Sequence, residues 1–268
     1  MSNDNDRNGA GNGSEELLRH ISAGVGTLTI NRPQVRNAIT PEYLLQVIKA
    51  IGEMERHAEV RVIVLTGQGK AFCAGADMSF LDALTRMTAE QIGEQVYAAF
   101  QGVARAIKQC GKPVVAAVNG PAIGAGCELA VACDFRIASS TAVFCENWID
   151  LGIMPPLGGL YLLPRLIGLE RATDMVMRAT RVDAQRALQI GLVTEVAEPE
   201  NFDAAVAAFA QSLVARPARA LKIIKQALRR GMEGTLAGEW EFNVQAQSLL
   251  LSGPDFAAAI AAIRAPKT

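Results

Sequence analysis

The sequence predicts an α/β fold that gives way to helices alone from about residue 170. Three observations predict it. "VRVIVLTG" and "PVVAAVNG" are continuous apolar, β-branched runs closed by glycine, as strands covered on both faces should read. The stretch between them, "SFLDALTRMTAEQIGEQVYAAFQGVARAIKQC", carries helical periodicity instead, so strand and helix alternate. After residue 170, "RATDMVMRA", "DAQRALQIG", "FDAAVAAFAQSLVA", "ARALKIIKQALRRGM" and "TLAGEWEFNVQAQSLLLS" all read helical, which places a helical block behind an α/β core.

Taken in order, residues 1–14 are Asn, Asp, Gly and Ser with little to bury, the composition of a disordered tail. "VGTLTINRP" alternates as a strand and stops at Pro33. "TPEYLLQVIKAIGEMER" then opens a helix with Thr40 as cap and Pro41 at its first position. After the two covered strands, "FRIASS" and "AVFCE" are short strand candidates. These boundaries divide the chain into the 1–14 tail, a 15–200 core and a 201–268 helical region.

Composition narrows the function classes. The chain has 268 residues, half of them apolar, enough for one large core. A formal charge of −1 with interspersed signs gives no basic field for a nucleic acid or an anionic membrane. No apolar run reaches the roughly 18 residues of a spanning helix, and the N-terminus lacks the pattern of a secretory signal, so a cytoplasmic location is expected. Five cysteines without a C-x-x-C pair, and only His20 and His57, offer no zinc-ligand spacing and read as buried thiols in a reducing compartment. No metal site is expected.

Two stretches, "VIVLTGQGKAFCAGADM" and "VVAAVNGPAIGAGCELA", share a strand, a glycine-rich bend and a helix start. Helix starts leave backbone N–H groups unpaired, and small residues there admit a ligand oxygen. Two such ends facing each other would form an oxyanion hole; ordinary turn glycines are the plainer reading. Glu128 lies in the second stretch. If a helix opens near Ala125, its carboxylate points back over the bend. A capping box is incomplete, because Ala125 has no hydroxyl. An acid aimed where free N–H groups converge has the geometry of a general acid or base, so structure and chemistry both remain open for Glu128 on these grounds.

"GKAFCAGADM", "KPVVAAVNGPAIGAGCELAVACDFRIAS" and "LGIMPPLGG", in this order and spacing, resemble the crotonase superfamily, the enoyl-CoA hydratase/isomerase family. "INRPQVRNAIT" and "ARALKIIKQAL" fit the same pattern, so the resemblance spans roughly residues 20 to 255. It implies a crotonase (ClpP/crotonase-like) spiral of ββα units, with a helical C-terminal region that mediates homotrimers, often paired into hexamers. It also implies an acyl-CoA thioester as substrate and no cofactor beyond that coenzyme A, with no nucleic acid or membrane partner. Carried onto this chain, the oxyanion donors are the N–H groups of Ala76 and Ala125, the latter in place of a residue usually Gly. Glu128 matches the first of the hydratases' two catalytic glutamates, which settles its reading in favour of chemistry. Ala74, Asp77 and Met78 are implied as substrate-binding positions.

The second hydratase glutamate should lie four residues before the Gly of G-x-x-P. Counting back from Gly152 gives Trp148, and an indole cannot exchange a proton with the α-carbon. Pro156 stands where the family commonly has Gly, which removes an N–H that could hold the attacking water. Trp148 reads as a flat wall of the acyl pocket, suited to aromatic or long acyl groups, or as ordinary core. Asp150 and Glu146 are the nearby carboxylates, Asp150 being the candidate for a role in the site and surface duty the alternative. Cys73 and Cys127 lack a histidine partner and read as core thiols. Lys222, Lys225 and Arg229 form one helical stripe, a solvated face by default; the resemblance implies contact with the CoA phosphates, Lys222 and Arg36 being the candidates. The expected function is a hydratase-like or isomerase-like reaction on an enoyl-CoA in fatty-acid or related metabolism. The alternatives are a non-catalytic acyl-CoA binding or shuttling protein and a divergent decarboxylase or hydrolase.

Overall fold

In the computed structural model, which describes residues 15–265, the first sheet begins one strand earlier than the sequence suggests. The expected tail, 1–14, lies outside the described residues. Leu17–Ser22 (β1) pairs antiparallel with Val25–Ile30 (β2) through a turn in which Ala23 and Gly24 take positive φ. Only Leu17 of β1 is buried, so this edge strand has no apolar alternation to betray it.

The α/β alternation follows. Pro41–Arg56 (α1) opens as expected, with the Thr40 hydroxyl accepting from Tyr43 N–H. Val62–Gly67 (β3) comes next, then Met78–Leu84 (α2), Ala89–Gln91 (α3), a π-turn over Ile92–Val96 and Tyr97–Gln109 (α4). Val114–Val118 (β4), Ala122–Ile123 (β5), Ala125–Ala132 (α5), Phe135–Ser139 (β6) and Val143–Cys145 (β7) lead to a 3-10 turn at Asn147–Leu151. Gly159–Ile167 (α6), Leu169–Met177 (α7), Val182–Asp183 (β8), Ala184–Gln189 (α8) and Glu195–Ala197 (β9) precede Phe202–Val214 (α9). Ala218–Gly231 (α10), Leu236–Leu251 (α11) and Pro254–Arg264 (α12) close the chain. The expectation of helices alone after residue 170 is corrected by β8 and β9, strands of two and three residues, too short for any periodicity to register.

Six strands form one sheet in the order β1-β2-β3-β4-β6-β9, parallel apart from the β1–β2 hairpin, and β5-β7-β8 form a second. The continuous apolar strands are covered on both faces, as their sequences require. Ile63 and Leu65 of β3 face the main core with α1, α4 and α5, while Val62 and Val64 face a smaller cluster under Phe202 and Ala210 of α9.

The basic stripe of α10 is neither a solvated face nor free for phosphates throughout. Lys225 donates to the carbonyls of Ile107 (3.0 Å) and Lys112 (3.0 Å) and pairs with Asp134 at 2.6 Å, and Arg229 donates to Lys108 O at 3.1 Å. Two of its three cations thus satisfy the open carbonyls at the end of α4, where the helix dipole favours positive charge, and fasten α10 to the core.

Candidate active site

The two glycine-rich bends face each other in direct backbone contact. Cys73 bridges Ala122 in parallel pairing, and Ile123 N–H donates to Cys73 O at 3.0 Å. A Cβ on Gly126 would stand 2.2 Å from Cys73 O, and one on Gly75 would stand 2.9 Å from Ile123 O, so both positions are closed to side chains.

The first bend directs Ala76. Ile39 N–H donates to Gly75 O and Asp77 N–H donates to Ile39 O, each at 2.9 Å, so the N–H of Ala76, between them, points the other way, toward the second bend. There Gly124, with φ 51° and ψ −117°, turns the chain into α5 in a conformation open to glycine. Ala125 is the first helical residue and is fully buried. Neither Ala76 N–H nor Ala125 N–H donates to an acceptor among the described residues. Two unpaired donors on facing bends, one at a helix N-terminus, can hold one developing oxyanion between them.

Glu128 lies one turn into α5 and is 1% exposed. The capping account fails outright: Gly124 caps α5 without a side-chain bond, and Glu128 Oε1 accepts from Leu157 N–H (2.9 Å) and Gly159 N–H (2.8 Å), in a different segment. Its other oxygen, Oε2, is buried and has no partner. Burial raises the carboxyl to about 7 against the opposing pull of the Gly159 and Leu157 N–H groups, which puts it in the range where a carboxylate both takes and returns a proton near neutral pH.

Buried Arg136 of β6 anchors this helix from behind. Its Nε donates to Leu192 O at 2.6 Å and its Nη1 to Cys133 O at 2.8 Å, at the C-terminal end of α5.

Trp148 joins the main core, 4% exposed, with its ring against the bend: a Cβ on Gly124 would lie 3.6 Å from its Cε2. The indole N–H is near enough to the Glu128 and Glu146 carboxylates to favour their ionised forms, but it falls short of hydrogen-bond geometry with either. Glu146 is wholly buried beside them, a placement its sequence position alone did not reveal. Asp150 is exposed. With three residues per turn, the 3-10 turn sends positions 148 and 150 in different directions, so the two do not meet as they would on a strand.

Of the other candidates, Ala74 donates its N–H to Arg36 O at 3.0 Å, which holds Arg36 beside the first bend with its side chain exposed. Asp77 caps α2 through Ser79 N–H (3.0 Å) and Oγ (2.7 Å) and pairs with Arg32 at 3.2 Å. The Ser79 hydroxyl foremost holds its carboxyl below the usual range. Met78 is 68% exposed at the start of α2, and the stem of Lys222 lies over Gly111. All five thiols are free and buried. Burial pushes Cys73 up to about 12 and Cys127 well above its ordinary value, so neither is a nucleophile at neutral pH. Among the described residues no three His, Cys, Asp or Glu side chains are arranged to hold a metal.

The sequence pattern of the enoyl-CoA hydratase/isomerase family matches residues 20–262. A short-chain-enoyl-CoA hydratase of Clostridium acetobutylicum is 40% identical over 210 residues, 78% of this chain and 79% of that protein. A 1,2-epoxyphenylacetyl-CoA isomerase of Escherichia coli is 32% identical over 254 residues, 95% of this chain and 97% of that protein. The crystal structure of an enoyl-CoA hydratase from Polaromonas superposes with a TM-score of 0.88 at 32% identity, covering 92% of this chain and 96% of that one. Likeness of this extent in sequence and in backbone shows descent as well as shape, and the chain belongs to the enoyl-CoA hydratase/isomerase family.

Proposed function

We propose that Ala76 N–H and Ala125 N–H form the oxyanion hole of an acyl-CoA enzyme and that Glu128 is its acid–base residue. The observation that carries this reading is Glu128 Oε2, buried and unpartnered in the first turn of α5, beside two donors that also lack acceptors. A thioester carbonyl placed between the donors gains negative charge when a proton leaves its α- or γ-carbon or a nucleophile adds at Cβ. Preorganised donors stabilise that enolate by roughly 3–4 kcal/mol each, judged by the cost of deleting one. Glu128 accepts the proton on Oε2 and returns it, to the same carbon framework in isomerisation or from water to the α-carbon in hydration.

Trp148 and Pro156 favour isomerisation. A proton shift within the substrate needs one base, whereas two-acid hydration needs a carboxylate where the indole stands and a water donor where Pro156 has no N–H. The indole against Gly124 supports an aromatic or extended acyl group. Arg36 and Lys222 are the proposed contacts for the CoA phosphates, with Ala74, Asp77 and Met78 along the carrier; Asp150, being exposed, meets substrate only at the rim. The 201–268 region is the proposed trimer or hexamer surface of the 15–200 core. Five free, buried thiols support a reducing, cytoplasmic setting.

Turnover across a panel of 2-enoyl- and 3-enoyl-CoAs, beside calorimetric binding of saturated acyl-CoAs and free acids, tests the reading. Isomerisation faster than hydration, with acyl-CoA bound in preference to the free acid, is the expected result. Tight acyl-CoA binding without turnover of any enoyl-CoA would instead identify a carrier, and equal affinity for the free acid would remove CoA from the account.

A further inference from the structure

Among the described residues five buried side-chain polar atoms lack a hydrogen-bond partner, and four belong to three residues that act on one another: Glu128 Oε2, both oxygens of Glu146 and Trp148 Nε1. Buried polar atoms without partners are costly, and two buried carboxylates side by side cannot both be ionised cheaply. Trp148 occupies the usual place of a second acid, yet a second acid is present two residues earlier.

The β5–β7 ladder puts it there. Ile123 pairs with Cys145, and Gly124 N–H donates to Cys145 O at 2.8 Å, so the residue after Cys145 arrives level with the first turn of α5. Glu146 is 0% exposed. The groups acting on it are Glu128 and Cys127 from α5 and Trp148 from the following turn, none of them a cation. Cys145 of β7 and Glu128 act on Cys127 in turn, Cys127 acts on Arg136, and Arg181 acts on Cys145.

We propose that Glu146 is a positioning residue for Glu128: a buried carboxylic acid that keeps its proton near neutral pH, shares it with Glu128 and leaves Glu128 as the one ionised base. This rests on the proposed role of Glu128. The environments sort the proton. Glu128 has two backbone N–H donors to support its charge, so it ionises first. Glu146 has no backbone donor; burial, then the charge of Glu128, raises it well above the usual carboxyl range against the weaker opposing pull of the Cys127 thiol and the Trp148 indole. The pair therefore carries one negative charge between two carboxyls, and the neutral member supplies the donor that Glu128 Oε2 otherwise lacks.

Infrared difference spectra of the ligand-free protein near neutral pH test this without reference to any substrate. A protonated-carboxyl band present in the wild type and absent in Glu146→Gln is expected. A wild type with no such band overturns the proposal. Where Glu146→Gln fails to fold, Glu128→Gln decides: removing the anionic neighbour should make the band titrate at lower pH, and an unchanged titration overturns the proposal. The second arm is the pH profile of kcat/KM on the enoyl-CoA that is turned over. Glu146→Gln should keep neutral-pH activity within a few-fold and lose the alkaline limb. Glu146→Leu, which removes the donor, should move the acid limb up by about 1 pH unit or more. Variants that lose stability but leave both limbs in place would reduce Glu146 to a structural residue. If no enoyl-CoA is turned over, the proposed function fails and the infrared arm still decides Glu146.

Discussion

Glu128 divides its oxygens between unlike tasks, Oε1 accepting from Leu157 and Gly159 while Oε2 remains free. Replacing it with Gln separates chemistry from stability. Turnover should fall by roughly 10²-fold or more, the usual scale of acid–base catalysis, with acyl-CoA binding nearly intact. Stability should move the opposite way with pH. The carboxyl is raised from 4.5 to about 7 by folding, so its favourable contribution is complete below 4.5 and is lost as pH rises through 7. Chemical denaturation should therefore show the Gln variant gaining on the wild type across that window, on the order of 3 kcal/mol by pH 8. A flat difference between the two would mean that Glu128 ionises normally. Glu128 was legible as a candidate because a lone acid in a run of small apolar residues has few structural uses. Glu146 was named but not placed, because its burial comes from β5 pairing with β7, a tertiary contact that no local pattern encodes.

At the scale of elements, the proposed oxyanion donors depend on how closely two backbones approach. The opening strand–bend–helix pattern of both segments foretold two helix starts, but facing was a matter of sheet order, which follows from β3 and β4 being neighbours. Gly126 measures that approach. Gly126→Ala sets a methyl 2.2 Å from Cys73 O, which neither backbone can accommodate without the bends separating. Turnover should drop by at least 10²-fold, the cost of misplacing one oxyanion donor, and amide exchange at Ala76 and Ala125 should change, while exchange in β3 stays as it was. Full activity in this variant would show that the donors lie elsewhere. The strands that sequence reading missed, β1, β5, β8 and β9, share one property: each has too few residues, or too exposed a face, to generate a periodic signal.

For the whole molecule, α10, α11 and α12 contain no buried residue, although α10 is fastened to α4 by Lys225 and Arg229. Leu228, Leu236, Trp240, Val244 and Ile263 each leave more than half of their surface open, and isolated helices of this length are marginal in water. Sedimentation should find a trimer or hexamer, and Trp240→Arg should shift it toward smaller species; a monomer in the wild type would leave these faces unexplained. In the proposed trimer or hexamer, an element that has no core of its own within the chain would take its stability from other copies, and so from mass action. Diluting the protein should then expose the C-terminal helices to protease before the α/β core, and raising its concentration should lift the temperature at which they melt.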